Sequence, residues 1–124
     1  SASTIGSPTY ITGFIHSAIL FDSSFSQSLS APAMALNSRS FTIEFWFYCY
    51  TTIGYYHAVF GQLSVIGTTR QTLFVVLNNG RWHFGFFNDD SHSVRTLAAN
   101  TWYHIALVYN NDLRQRLIYI DGVI

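Results

Sequence analysis

The acidic residues are where catalytic chemistry would first be sought, because a retaining glycosidase needs two carboxylates about 5–5.5 Å apart. Glu44 is the only glutamate among the six acidic residues. It lies in an alternating run where its neighbours on the same face are Thr42 and Trp46, so no second carboxylate accompanies it. No serine marks a nucleophile elbow, and the five histidines lack the spacing of a zinc site. The sequence therefore predicts a non-enzymatic protein.

The densest group of oxygen ligands is the run Asn88-Asp89-Asp90-Ser91-His92. Calcium takes about six to eight oxygen ligands, so Asp89 and Asp90 are the candidate metal ligands. The same residue types also favour turns, because their side chains bond their own backbone. We expect a plain turn at this run, with calcium as the alternative, and no other cofactor.

Loop aromatics form the candidate ligand contact. Tyr55, Tyr56 and His57 follow Gly54 between two strand-like runs. Such side chains can stack on a sugar or on a protein partner, and they can equally cover one end of a core. The sequence leaves both interpretations open.

The charge and composition of the chain limit the classes of partner that it can bind. Charged residues make up 10% of the chain, there is no lysine, and the formal net charge is zero. Nucleic acid would require a basic footprint, which six scattered arginines do not provide. No apolar run reaches the roughly 18 residues that span a bilayer, so membrane insertion is not expected. A domain near zero net charge lacks self-repulsion and tends to associate.

The elements that must position these residues are β-strands. Aromatic residues make up 18% of the chain, and short alternating runs are separated by turn clusters about every ten residues. This pattern predicts an all-β, antiparallel, jelly-roll-like β-sandwich. The predicted strands lie at 18–22, 26–29, 41–50, 57–66, 72–78, 81–88, 93–97, 102–110 and 115–121.

Asn79-Gly80 is the clearest hairpin signal, since this pair favours a two-residue turn with positive φ at both positions. The turn predicts that Leu77 faces Trp82 and that Val75 faces Phe84. One face of the hairpin is then entirely apolar, and a slip of one residue would destroy that pattern.

A second turn signal, Asp121-Gly122, follows the run Leu117-Ile118-Tyr119-Ile120. Only Val123 and Ile124 come after it, so the return strand barely begins. We expect a strand from a second copy, or a downstream segment of the same chain, to complete the sheet. The predicted assembly edge comprises Ile19, Phe21, Ile118, Ile120, Val123 and Ile124.

Four segments in sequence resemble the laminin-G-like, concanavalin A-like lectin/glucanase superfamily, whose members are jelly-roll sandwiches. They are Ala18-Ile19-Leu20-Phe21-Asp22, Ser40-Phe41-Thr42-Ile43-Glu44-Phe45-Trp46, residues 100–109 and residues 117–122. The resemblance implies a laminin-G-like sandwich over residues 13–124 that is incomplete at its C-terminus. It leaves residues 1–12 as an extended N-terminal segment that could act as a donor strand.

Two functions follow from these observations. The first is a non-catalytic extracellular or cell-surface structural module that self-associates by strand complementation, with a filament as one outcome. The alternative is a lectin-like or laminin-G-like recognition module that binds a glycan or a protein receptor through rim loops. Fold alone does not choose between them.

Overall fold

The structure, a computed structural model, describes residues 2–36, 38–54, 56–63, 72–86 and 88–124, with Leu63 described by its backbone alone. The described residues form eleven strands and one short 3-10 helix, Ser23–Phe25, and none forms a helix long and apolar enough to cross a membrane. The strands are β1 Ser3–Ile5, β2 Thr9–Thr12, β3 Ser17–Leu20, β4 Ser28–Ser30, β5 Phe41–Phe47, β6 Tyr56–Leu63, β7 Thr72–Asn78, β8 Arg81–Phe86, β9 Asp89–His92, β10 Tyr103–Asn110 and β11 Gln115–Ile120.

Residues 1–35 form the first of two compact units. In it, β1 pairs with β4 and β2 pairs with β3, both antiparallel. The predicted N-terminal segment, residues 1–12, lies wholly in this unit and both of its strands are paired. Its use as a donor strand stays a prediction.

Residues 36–124 form the second unit, which is an antiparallel sandwich. One sheet has the order β11-β10-β5 and the other has the order β6-β7-β8-β9. The two sheets meet through aromatic contacts: the rings of Phe45 and Phe47 lie 5.5 and 4.9 Å from that of Trp82, and Phe41 packs edge-on against Phe84. The predicted all-β, jelly-roll-like sandwich is confirmed.

The hairpin at Asn79-Gly80 has the predicted register. Leu77 pairs with Trp82 and Val75 with Phe84, and all four side chains are buried. Asn79 and Gly80 have φ of 48° and 76°, as the turn type requires.

One predicted strand is wrong. Residues 93–97 form no strand, and the chain turns back earlier, through Asn88 at φ 58°, into β9. Ser93 is buried instead: its hydroxyl accepts from the backbone N–H of Trp82 and donates to the Arg95 carbonyl. Ser93 and Leu97 are buried and the three residues between them are exposed, so this segment is anchored at its two ends and is not paired in a ladder. Part of the strand predicted at 57–66 lies outside the described residues.

Candidate functional site

An arginine joins the two sheets on the side where β11 and β9 are the outer strands. Arg116 of β11 donates from Nη2 to Asp89 Oδ1 at 2.6 Å and from Nε to Ser91 Oγ at 3.2 Å. The Arg116 side chain is only 14% exposed. Asp89 and Ser91, which belong to the run predicted as a possible calcium site, therefore bind the guanidinium of a largely buried arginine.

Asp90 lies on the other side of β9, because neighbouring strand residues point to opposite faces. Its Oδ2 is 3.8 Å from His83 Nδ1, and the His83 ring lies 5.7 Å from that of His92. Asp89 and Asp90 consequently do not converge on one point. In the part of the chain that the structure describes, no group of three or more His, Cys, Asp or Glu is arranged to hold a metal. Calcium stays a prediction that this geometry does not favour.

A second arginine fixes the Asp121-Gly122 turn. Arg95 Nη1 lies 3.2 Å from Asp121 Oδ2, and its guanidinium sits 5.2 Å over the ring of Tyr103. The other oxygen of Asp121 accepts from the backbone N–H of His104. The turn is thereby tied to the start of β10.

The far edge of β11 is open among the described strands, since only β10 pairs with it. Ile120 turns both backbone groups away from β10: its N–H donates to the Val123 carbonyl at 2.9 Å, and its C=O accepts from Val123 at 3.1 Å. Asp121, the next residue, donates toward β10 through the His104 carbonyl. Strand alternation places the N–H and C=O of Ile118 and Arg116 on the open edge as well.

The six residues of the predicted assembly edge do not lie together at one edge. The side chains of Ile118 and Ile120 belong to the buried core, and only their backbone faces the edge. Val123 and Ile124 are exposed. The other two predicted members lie in the first unit, where Ile19 pairs with Tyr10 and Phe21 follows β3.

Two hydrogen bonds hold the chain on either side of the predicted aromatic contact, Tyr55, Tyr56 and His57. Thr51 O lies 3.0 Å from His57 Nε2, and the Gly54 N–H donates to Asn79 Oδ1 at 2.9 Å. Tyr56 is 73% exposed. Tyr55, the third predicted contact, lies outside the described residues.

Sequence reasoning missed a second aromatic group, here called the aromatic patch: Tyr48, Tyr50 and Trp102. The ring of Tyr48 lies 5.3 Å from each of the other two. Tyr48 Oη donates to Asn100 Oδ1 at 3.3 Å. The alternation of Trp46, Tyr48 and Tyr50 within the strand predicted at 41–50 is the sequence signal that could have indicated this group.

Glu44 lies on the same outer face as the aromatic patch. Its Oε2 is 4.0 Å from His104 Nε2, and the His104 ring lies 5.2 Å from that of Trp46. The Glu44 side chain is 69% exposed. No described carboxylate of β5, β10 or β11 stands beside it, because it is the only acidic residue of those strands.

Cys49 is buried at the margin of the core, where β5 has ended. Burial raises the pKa of its thiol, because the thiolate would lose hydration. The thiol is therefore protonated near neutral pH and is a poor nucleophile.

An antiparallel two-sheet sandwich is the architecture of lectin-like, laminin-G-like modules, among other classes. The laminin G family model described as the concanavalin A-like lectin/glucanases superfamily matches residues 22–124. The chain belongs to this family, since the match covers most of its length, and the predicted resemblance is confirmed. Neither a curated protein nor a solved structure gives a match.

Proposed function

We propose that this chain is a non-catalytic structural module that associates with copies of itself by adding a strand to the open edge of β11. One observation supports the proposal most directly: both backbone groups of Ile120 point away from β10 and already bond Val123. Unpaired N–H and C=O groups on an edge strand recruit further chains. A neighbour's strand would continue the same ladder past Ile118 and Arg116.

The edge of β11 lacks the features that usually prevent such pairing. Natural sheets guard their edges with lysine, proline or a bulge. The chain has no lysine, and β11 has no proline. The one charge of β11, on Arg116, is directed at Asp89 in the other sheet. An incoming strand therefore meets no charge repulsion there.

Two assemblies are compatible with this edge. Pairing of β11 with β11 of a second copy is isologous and closes as a dimer. Pairing of β11 with the other outer strand of the same sheet, β5, runs head to tail and builds a filament. The distribution of masses separates the two outcomes.

A charged side chain on the solvent face of β11 tests the proposal. Leu117→Lys places a charge on the edge strand, while Val108→Lys places the same charge directly opposite on the inner strand β10. We expect sedimentation to show a concentration-dependent mass above that of one chain. We further expect Leu117→Lys to weaken association by about tenfold or more, and Val108→Lys to weaken it much less. A single-chain mass at every concentration would contradict the proposal.

The absence of catalysis and the location outside the cell belong to the same proposal. The neighbours of three acidic side chains argue for structural use: Asp89 binds Arg116, Asp121 binds Arg95, and Glu44 lies near the His104 ring. Laminin-G-like modules are typically extracellular, which supports a secreted or surface location. Hydrolysis of a neutral glucan by the purified chain would overturn the non-catalytic assignment.

A second candidate function is recognition of a glycan or receptor through rim loops. The favourable observation is that Tyr56 stands exposed at the start of β6, where the nearby His57 and Gly54 are held by Thr51 and Asn79. A preorganised aromatic side chain loses little entropy on binding. Loss of ligand capture in Tyr56→Ala, with unchanged mass in solution, would favour this function over self-association.

A further inference from the structure

Two histidines lie directly opposite each other on the last two strands of the four-stranded sheet. His83 of β8 pairs with His92 of β9. One step further along, a backbone hydrogen bond joins the two chains, because the Ser93 N–H donates to the Trp82 carbonyl at 2.8 Å. Bonded and non-bonded pairs alternate in an antiparallel ladder, so His83 and His92 form a non-hydrogen-bonded pair. The side chains of such a pair approach each other more closely than those of a bonded pair.

Both imidazoles lie on the face of the sheet that is turned away from the core. The neighbours of His83 on β8, Trp82 and Phe84, are fully buried, and strand alternation places His83 on the opposite face. His92 is exposed, and the His83 side chain is 25% exposed. A solvated ion can therefore reach both rings.

The separation of the two rings suits a metal ion bound between them. Their centroids lie 5.7 Å apart, and their planes are inclined at 32°. A zinc ion about 2.0–2.1 Å from one nitrogen of each ring lies about 3.2 Å from each centroid, so a tetrahedral angle at the metal separates the centroids by about 5.3 Å. The two rings already stand within about half an ångström of that separation.

The type of ligand atom, rather than the local charge, selects the ion. Asp90 Oδ2 lies 3.8 Å from His83 Nδ1 and brings one negative charge near the pair. Arg81 brings one positive charge to the same face of β8, two residues before His83, so the two charges offset each other. Imidazole nitrogen suits zinc, copper and nickel, whereas calcium and magnesium take oxygen ligands.

We propose that His83 and His92 bind one zinc ion between them. No third described His, Cys, Asp or Glu is placed to hold the same ion, so water completes its coordination. Because structural zinc sites use four protein ligands, a site with two binds reversibly, with a dissociation constant in the micromolar range. The bound ion links the outer strand β9 to β8 through side chains, and its binding free energy adds to the stability of the folded chain.

Calorimetric titration of the full chain with zinc chloride tests the proposal, at a protein concentration where sedimentation shows the mass of one chain. We expect one zinc ion per chain, and we expect His83→Gln and His92→Gln each to weaken the dissociation constant by about tenfold or more. Zinc at about a hundred times the dissociation constant should raise the Tm of the wild type by about 5 °C or more. Calcium chloride should leave the Tm unchanged, because nitrogen ligands do not suit calcium.

His104→Gln is the matched control. His104 is also a half-buried strand histidine near a carboxylate, with Glu44 at 4.0 Å, but its ring contacts Trp46 instead of a second histidine. This variant should bind zinc as the wild type does.

Thermal unfolding without zinc shows whether His83→Gln still folds, and the exposed His92 decides the matter if it does not. Absence of zinc binding by the wild type, equal affinity of wild type and His92→Gln, or an equal loss in His104→Gln would overturn the proposal. Zinc binding that occurs only as the mass rises would also overturn it, because the ligands would then come from two chains.

Discussion

Arg116 shows how a single side chain can link two sheets. Its guanidinium leaves the edge of one sheet and meets a carboxylate and a hydroxyl at the edge of the other. An arginine side chain that is 14% exposed needs partners for its charge, because an unpaired buried charge is unfavourable by several kcal/mol. Asp89 and Ser91 accept hydrogen bonds from this side chain.

We predict that Arg116→Gln and Asp89→Asn each lower the free energy of unfolding by about 1–3 kcal/mol, since each leaves a charged partner poorly paired. The double variant should lose less than the sum of the two single losses. Urea unfolding of the four proteins measures this coupling. Strict additivity would mean that the two residues do not stabilise each other.

Cys49 provides a pH-dependent prediction. Its pKa is raised in the folded state, so the unfolded thiol ionises first as pH rises past its ordinary value of about 8.5. Stability is thus unaffected below that pH and falls above it, because the unfolded state then binds fewer protons than the folded one.

Cys49→Ala should show a shallower loss of stability between about pH 8.5 and 10 than the wild type does. The native thiol should also react with a disulfide reagent at pH 8 about tenfold more slowly than the urea-unfolded chain. Equal thiol reactivity in the two states would show that the side chain is accessible.

Sequence reasoning at the residue scale could identify Asp89 and Asp90 as polar and close in sequence, but not their partners. Arg116 is distant along the chain, and only the packing of the two sheets brings it to Asp89. The aromatic patch was missed for the same reason, because Trp102 joins Tyr48 across strands.

At the scale of elements, the pairing of β8 with β9 depends on a close backbone approach at Gly85. A Cβ at this position would overlap the Asp90 Cα, which real side chains do not tolerate. The strand therefore requires glycine at this position, where the hairpin turns tightly through Asn88.

We predict that Gly85→Ala lowers the free energy of unfolding by about 2 kcal/mol or more, because a backbone must shift to admit the methyl group. Gly61→Ala is the matched control, since its Cβ would find its nearest neighbour at an ordinary 3.7 Å. Thermal unfolding of the two variants makes the comparison. Equal stabilities would contradict the close approach.

Hairpins with a strong local turn were predictable, and β9 was not. The Asn79-Gly80 turn sets the register of its two strands through the backbone of two residues, so the sequence contains all the information needed. Residues 93–97 form no strand, and Ser93 is held there by hydrogen bonds to the Trp82 backbone N–H and the Arg95 carbonyl. The contact with Trp82, which lies across the hairpin, has no local signature.

At the scale of the whole molecule, the proposed association depends on the outer edge of β11. Along β11, backbone groups that face β10 alternate with backbone groups that face the open edge. At Ile120 the groups on the open edge are bonded to Val123. The sequence predicted this edge through Asp121-Gly122, because that turn too is a local signal. The proposed strand from a second copy has no such local signal in the sequence.

Residue-resolved amide hydrogen exchange tests that claim most directly. The N–H groups of Leu117 and Tyr119 face β10 and should be protected at every protein concentration. Those of Arg116 and Ile118 face the open edge, so we predict fast exchange in dilute solution and slow exchange once the chain associates. Fast exchange of Arg116 and Ile118 at concentrations where the mass has already risen would contradict pairing at β11.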